Sequence, residues 1–238
     1  MITSRVIRDI EYVLLDGKDS QRKTTDIVIE RNGIITVRPP ADYSPEMVDA
    51  VVNSKRMWIY RNLAEWKDLN ANTVNREWVN GETFLYLGRA YRLSLISDQQ
   101  DALLLKDGRF CLSRDLIELG GVDAAKRAFE QYFMAKGLEH FTNRVKYYSP
   151  KVGVTPSDIR IRDMGFRWAT CGANGVLSFH WKSMMAPPQI IDYIVVHELC
   201  HMRHANHTDA FWNEVDKVMP NFYDRKEWLR QFGASLTI

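Results

Sequence analysis

The stretch from Ile190 to His207 restricts this chain more than any other. His197 and His201 stand four residues apart, Glu198 follows the first directly, and Ile190, Ile191, Ile194 and Val195 run ahead of them. Residues i and i+4 share one face of an α-helix, so the two imidazoles can be aimed at a single point if this stretch is helical. The apolar lead-in roots such a helix in a core, which holds ligands more rigidly than a loop does.

Paired histidines at this spacing suit a zinc ion, about 2 Å from each nitrogen. Glu198 projects beside that ion rather than at it. This is the place for a carboxylate that takes a proton from metal-activated water and passes it to a leaving group. A catalytic zinc has three protein ligands and one open position. His207 is the favoured third ligand, because Met202 to Asn206 carry the chain off the helix end and Asn206 tolerates the left-handed backbone of a turn. His201 and His207 also have the spacing of the last two histidines of the metzincin pattern, with His204 in the place of its glycine. Glu214, on the following helix, is the competing third ligand. His204 reads as solvated or as a hydrogen-bond partner of the site. Cys200, about 100° round the helix from His201, reads as a small buried filler, and His140 and His180 as isolated polar positions.

Upstream, Arg167 to Trp181 reads as a turn feeding a strand. Val176 to Trp181 is expected to form an exposed edge that pairs with an extended substrate backbone, the alternative being an ordinary core hairpin. Arg167 is a candidate for holding a developing oxyanion or for a structural salt bridge.

Taken together, Arg167-Trp168, Ala186-Pro187-Pro188, Asp192-Tyr193, His197-Glu198-Leu199-Cys200-His201, Asn206-His207 and Phe211-Trp212 resemble the YgjP-like metallopeptidase family, a bacterial group related to the SprT and WLM zincins. Trp58-Ile59, Gly81-Glu82 and Tyr86 to Leu93 extend the resemblance upstream, so that it covers nearly the whole chain. It implies a zincin catalytic core, zinc held by His197, His201 and His207, and Glu198 as general base. The chain departs from the family in having Ala169-Thr170 where Gly-Ser is common, and Cys200 where alanine is frequent.

The expected fold is α+β: a zincin-like core, with the active-site helix beside a small sheet, joined to a β-rich N-terminal region. Asp26 to Glu30 and Ile34 to Arg38 flank Asn32-Gly33, a hairpin signal, and Ser44-Pro45-Glu46 starts one long helix carrying Met47 to Trp66. More strands follow, at Thr83 to Leu87, Tyr91 to Ile96, and Leu103 to Leu105 paired with Arg109 to Leu112. From Asp123 a helix carries Phe129, Phe133, Phe141 and Val145 on one stripe, and Ser149-Pro150 closes it. The division is placed at Leu119-Gly120-Gly121, giving residues 1–120 and 121–238, and no internal repeat is visible.

Composition narrows the functions. Hydrophobic residues at 45% and charged residues at 26% suit a chain with a real core. The net charge of +2 comes from mixed rather than clustered charges, so nucleic acid finds no support. Cys111, Cys171 and Cys200 are odd in number and far apart, which fits free thiols in a reducing compartment. Met1 to Leu15 lacks a signal-peptide apolar run and no stretch is long enough to span a bilayer, so the expected location is the cytoplasm, with no membrane partner. The sequence sets no oligomeric state. The expected activity is a metallopeptidase-like hydrolase with one zinc per chain and a polypeptide substrate. The runner-up is a metal-dependent hydrolase of a nucleotide phosphoanhydride, with Arg162, Arg167, Lys182 and Arg203 as phosphate holders, although no glycine-rich phosphate loop accompanies them. A non-enzymatic module with a structural metal is the third reading. Glu198 argues against it, since such a site needs no base.

Overall fold

The computed structural model describes residues 2–15, 24–30, 32–70, 76–165 and 167–238. The chain divides into two compact units, Met1–Thr73 and Val74–Ile238.

The first unit contains β1 (Ile2–Ile7), β2 (Ile10–Leu15), β3 (Asp26–Ile29), β4 (Ile35–Arg38), α1 (Pro45–Ser54) and α2 (Arg56–Asn70). Its sheet runs β1-β2-β4-β3, two antiparallel hairpins joined through a parallel β2–β4 pair. Alternation along β4 turns Ile35 and Val37 inward. There they meet Ile10, Tyr12, Val48, Val52 and Ile59 in a small core. The β3–β4 turn holds Gly33 at φ 85°, and Asn32 Oδ1 accepts the Ile34 N–H at 3.0 Å. Arg31 lies outside the described residues. Ser44 caps α1 by accepting the Met47 N–H at 3.3 Å. The single long helix expected over Met47 to Trp66 is two helices. The N–H of Lys55 bonds both Val51 and Val52 carbonyls at 3.1 Å, tightening the last turn of α1 and separating it from α2.

The second unit contains β5 (Thr83–Tyr86), β6 (Arg89–Ile96), β7 (Leu103–Lys106), β8 (Arg109–Ser113) and α3 (Arg114–Val152). It continues through β9 (Asp158–Arg162), β10 (Ala169–Cys171), β11 (Val176–His180), a 3-10 turn (Trp181–Met185), α4 (Pro188–His201), α5 (Asp209–Val218) and α6 (Phe222–Phe232). One sheet runs β5-β6-β8-β7 and packs on α3 through aromatic rings, with Phe84 and Phe110 at 4.5 and 4.9 Å from Phe129. The division expected at 119–121 falls inside α3, where Gly121 (φ 66°, ψ −169°) kinks the helix. It marks no boundary, because Trp78, Phe84, Leu93, Phe110 and Leu112 bury themselves in the same core as Phe129 and Phe133. Nor does Pro150 end α3. The helix runs on to Val152, and Gly153 in the left-handed region (φ 74°) stops it.

The second sheet is ordered β10-β11-β9, with β11 antiparallel to β10 and parallel to β9. Val176 to Trp181 is therefore not an edge. Leu177, Ser178, Phe179 and His180 are buried in a central strand paired on both sides, with Phe179 stacked on Phe141 of α3 at 4.2 Å. The strand left at the edge beside α4 is β10, too short for the sequence pattern to single out. The tip of the β5–β6 hairpin braces the approach to α4: the N–H groups of Leu87 and Gly88 donate to the carbonyls of Met184 and Met185 at 2.7 and 3.2 Å. A Cβ at Gly88 would lie 2.8 Å from Pro187 Cα, so only glycine fits. The architecture is the expected α+β class, a core helix beside a small sheet. Among the described residues no helix is long and apolar enough to cross a membrane.

Candidate metal centre

Helix α4 starts at Pro188, whose missing N–H costs nothing in a first turn. Ile190, Ile191, Ile194, Val195, Val196, Leu199 and Cys200 are buried around nearly its whole circumference, and Arg144 of α3 grips Asp192 bidentately at 2.6 and 2.9 Å. Its last turn presents His197 and His201, and the chain then turns so that His207 returns to them. The three Nε2 atoms form a triangle with sides of 3.0, 3.1 and 3.2 Å.

Hydrogen bonds alone do not account for that triangle. A neutral imidazole carries one N–H, so with each Nε2 either donor or acceptor at least one of the three contacts sets like against like. Three lone pairs turned toward one cation remove the conflict. Nitrogens about 2.0–2.1 Å from a tetrahedral zinc lie roughly 3.3 Å apart, close to the spacing found. Burial, with the other two histidines adding to it, pushes His197 down to about 3. Burial also lowers His201 and His207, so all three rings are neutral near pH 7 and have lone pairs to give. His201 Nδ1 donates to the His204 carbonyl at 3.0 Å, which leaves its Nε2 as the free acceptor. His204 thus serves the site through its backbone.

Aromatic rings fix the imidazoles. Phe211, fully buried on α5, lies 5.0, 4.5 and 4.9 Å from the rings of His197, His201 and His207. Trp212 stacks on His207 at 5.5 Å and on Phe222 of α6 at 5.3 Å. Lys226, one turn beyond Phe222, holds its ammonium 4.1 Å from the Trp212 ring centroid. Its charge contributes to the lowering of His197 and His207. No periodicity argument points to Lys226; the aromatic pair Phe211-Trp212, one turn after His207, is the available signal.

Glu198 is buried, and burial lifts its carboxyl to about 8. Among the described residues nothing hydrogen-bonds or ion-pairs with it. Tyr193 and Cys171 are near enough for its charge to raise both, secondary to their own burial. Glu214 stands apart from the cluster. Its carboxylate is held by Arg203 at 2.8 Å and Lys217 at 3.2 Å, so the alternative ligand is engaged elsewhere. Cys200 is a buried filler, its thiol pushed up to about 12 by burial. His180 is no idle polar position: its Nδ1 accepts the Lys182 N–H at 3.2 Å and its Nε2 meets the Gly165 carbonyl at 3.1 Å, capping the turn ahead of α4. His140 lies outside the cluster, and Arg167 is exposed. Of the cations considered as phosphate holders, Arg203 is committed to Glu214 and Lys182 lies 5.5 Å from the Trp181 ring centroid.

No curated protein sequence matches the chain. Among solved structures, the metallopeptidase zymogen abylysin of Pyrococcus abyssi aligns with 41% of this chain and 99% of its own, at 19% identity and a TM-score of 0.36. That likeness is too slight to build on. The family comparison reaches much further: the model described as YgjP-like, metallopeptidase domain, matches residues 23–232, from the first unit through α6. A match over that span, which takes in the three clustered histidines and the buried glutamate among them, means that the chain belongs to the YgjP-like metallopeptidase family.

Proposed function

We propose that this metallopeptidase-family chain is a zinc-dependent peptidase in which His197, His201 and His207 hold the ion and Glu198 is the general base. The observation that carries the reading is the Nε2 triangle beside a buried carboxylate with no partner of its own among the described residues. When bound, zinc supplies Lewis acidity, which makes water nucleophilic near neutral pH and polarises a carbonyl.

The chain's own residues do the rest. Glu198, kept ionised against the effect of burial by the positive charge of the bound ion, receives the proton of the attacking water and delivers it to the departing amine nitrogen. The substrate backbone is offered the open side of β10. His180 donates to the Trp168 carbonyl at 2.8 Å and Gly172 to that of Val176 at 2.9 Å, and antiparallel pairing alternates. The N–H and C=O groups of Ala169 and Cys171 therefore turn away from β11, toward the free edge, where an extended peptide can add a strand. Phe211 and Trp212 form an apolar wall that limits the access of bulk water.

The test is a panel of unfolded proteins, peptides and nucleotides incubated with zinc-loaded protein and with Glu198→Gln. Peptide cleavage lost by about 10²–10⁴-fold in the variant, with zinc retained, is the expected result. Unchanged turnover removes Glu198 from the mechanism, and cleavage confined to nucleotides overturns the peptide assignment.

A further inference from the structure

Among the described residues, Lys226 is the charged group whose ammonium lies over the aromatic wall of the histidine cluster, and neither the ligand set nor the base needs it. Its ammonium sits 4.1 Å from the ring centroid of Trp212, whose indole stacks on His207 at 5.5 Å with 23° between the planes. Phe222, one turn earlier on α6, stacks on the same indole at 5.3 Å and 13°, so helix and ring hold each other and the lysine stem has a fixed origin. The side chain is exposed, and among the described residues no carboxylate pairs with it. Glu227, next to it on α6, binds Arg230 at 2.6 and 2.8 Å, and Glu214 on α5 binds Arg203 and Lys217. A cation supported from behind by an aromatic face and unpaired in front offers its charge to whatever crosses His207.

We propose that Lys226 is a specificity-determining residue that recognises a carboxylate on the substrate, within about three residues of the bond to be cleaved. The reach follows from the stack: steps of 4.1 and 5.5 Å separate the ammonium from the His207 ring, and an extended peptide advances about 3.3 Å per residue. An ammonium is a compact, strongly hydrated point charge. It therefore reads the sign of its partner more than its shape, and an aspartate or glutamate side chain and a free C-terminal carboxylate are both suitable. The first source makes the protein an endopeptidase for acidic segments, the second a carboxypeptidase. This inference rests on the peptidase reading above.

The experiment is calorimetric titration of zinc-loaded wild type, Lys226→Met and Lys226→Arg with short peptide hydroxamates, which bind through the metal and are not cleaved. Members carry glutamate or glutamine one, two or three residues from the hydroxamate, and end in a free carboxylate or an amide. Wild type should bind one acidic member about tenfold more tightly than its neutral counterpart, as a charge-assisted contact gives. That preference should shrink at high salt, persist in Lys226→Arg and vanish in Lys226→Met. A preference for the glutamate side chain identifies acidic segments as the source, and one for the free terminus identifies chain ends. Equal affinity for charged and neutral members in wild type, or a preference that survives Lys226→Met, overturns the proposal. If no member binds, neutral ones included, the metal-site reading has failed and the carboxylate assignment falls with it.

Discussion

The two compact units use one strand plan for different ends. In the first, β1-β2-β4-β3 is built from two hairpins whose inner strands run parallel, and helices follow; β5-β6-β8-β7 repeats the plan in the second, and α3 follows. The first hairpin of each closes in two residues, Arg8-Asp9 with Arg8 at φ 57°, and Leu87-Gly88 at φ 49° and 75°. Each unit also ties helix to neighbour with an Arg–Asp–Tyr set: Arg5 and Tyr12 on Asp49, Arg144 and Tyr148 on Asp192. The hairpin tips differ. Arg8 and Asp9 are exposed, with Asp9 accepting from Tyr60, whereas Leu87 and Gly88 bond the turn that launches the histidine helix. A shared scaffold does not carry shared chemistry. Only the copy braced against α4 belongs to the unit that holds the histidines.

The cores of the two copies give the sharpest contrast. Phe129→Ala removes a fully buried ring from the aromatic cluster and should cost about 3–5 kcal/mol, whereas Ile59→Val in the smaller core should cost about 0.5–1.5 kcal/mol. Denaturant unfolding of each variant measures both, and equal costs would mean that the aromatic cluster does not carry the larger core. The hairpin tips give the next contrast. Gly88→Ala forces a Cβ against Pro187 at a left-handed residue, so about 2–4 kcal/mol of stability should go. Asp9→Ala at the matching position should cost under about 1 kcal/mol. A harmless Gly88→Ala would show that the docking of that tip on α4 is dispensable.

The two Arg–Asp–Tyr sets make the finest comparison. Asp192→Asn and Asp49→Asn should each cost about 1–2 kcal/mol, but only Asp192→Asn should also weaken zinc binding, because Asp192 seats the ligand helix. Competition with a chromogenic chelator reads that difference, and equal zinc affinity in both variants would detach the Arg144 clamp from the site. Asp49 adds a pH signature. Its hydrogen bond from Arg5 holds the folded carboxyl below its ordinary value. The stabilisation is thus present above pH about 4 and is lost as pH falls through the folded pKa. Acid titration of unfolding should show that loss in wild type and not in Asp49→Asn.

Much of the site was legible because it is local. Helical spacing dictates that His197 and His201 share a face, and the apolar run before them marks a buried helix whatever surrounds it. The β3–β4 turn was legible for the same reason: Gly33 takes the positive φ that an Asn-Gly pair tolerates, although Asn32 works through its side chain. What local pattern does not encode is who lies beside whom. Val176 to Trp181 reads equally well as an edge or a centre, and only its pairing with both β9 and β10 decides. The repeated strand plan leaves no trace in sequence, since register and order are set by tertiary contacts. Spacing favours His207 as third ligand but leaves Glu214 as a competitor, and the ion pairs from Arg203 and Lys217 that occupy Glu214 are visible only in three dimensions. Glycines at 120 and 121 look like a linker until the sheet before them is seen to share a core with the helix after them.

The account turns on three histidines sharing one ion, and elemental analysis of the purified chain tests this most directly. Wild type and Glu214→Ala should each carry about one zinc per chain, and His207→Ala should lose most of it while staying folded. A folded, peptide-cleaving wild type without metal, or a His207→Ala variant with its full complement, would contradict the account.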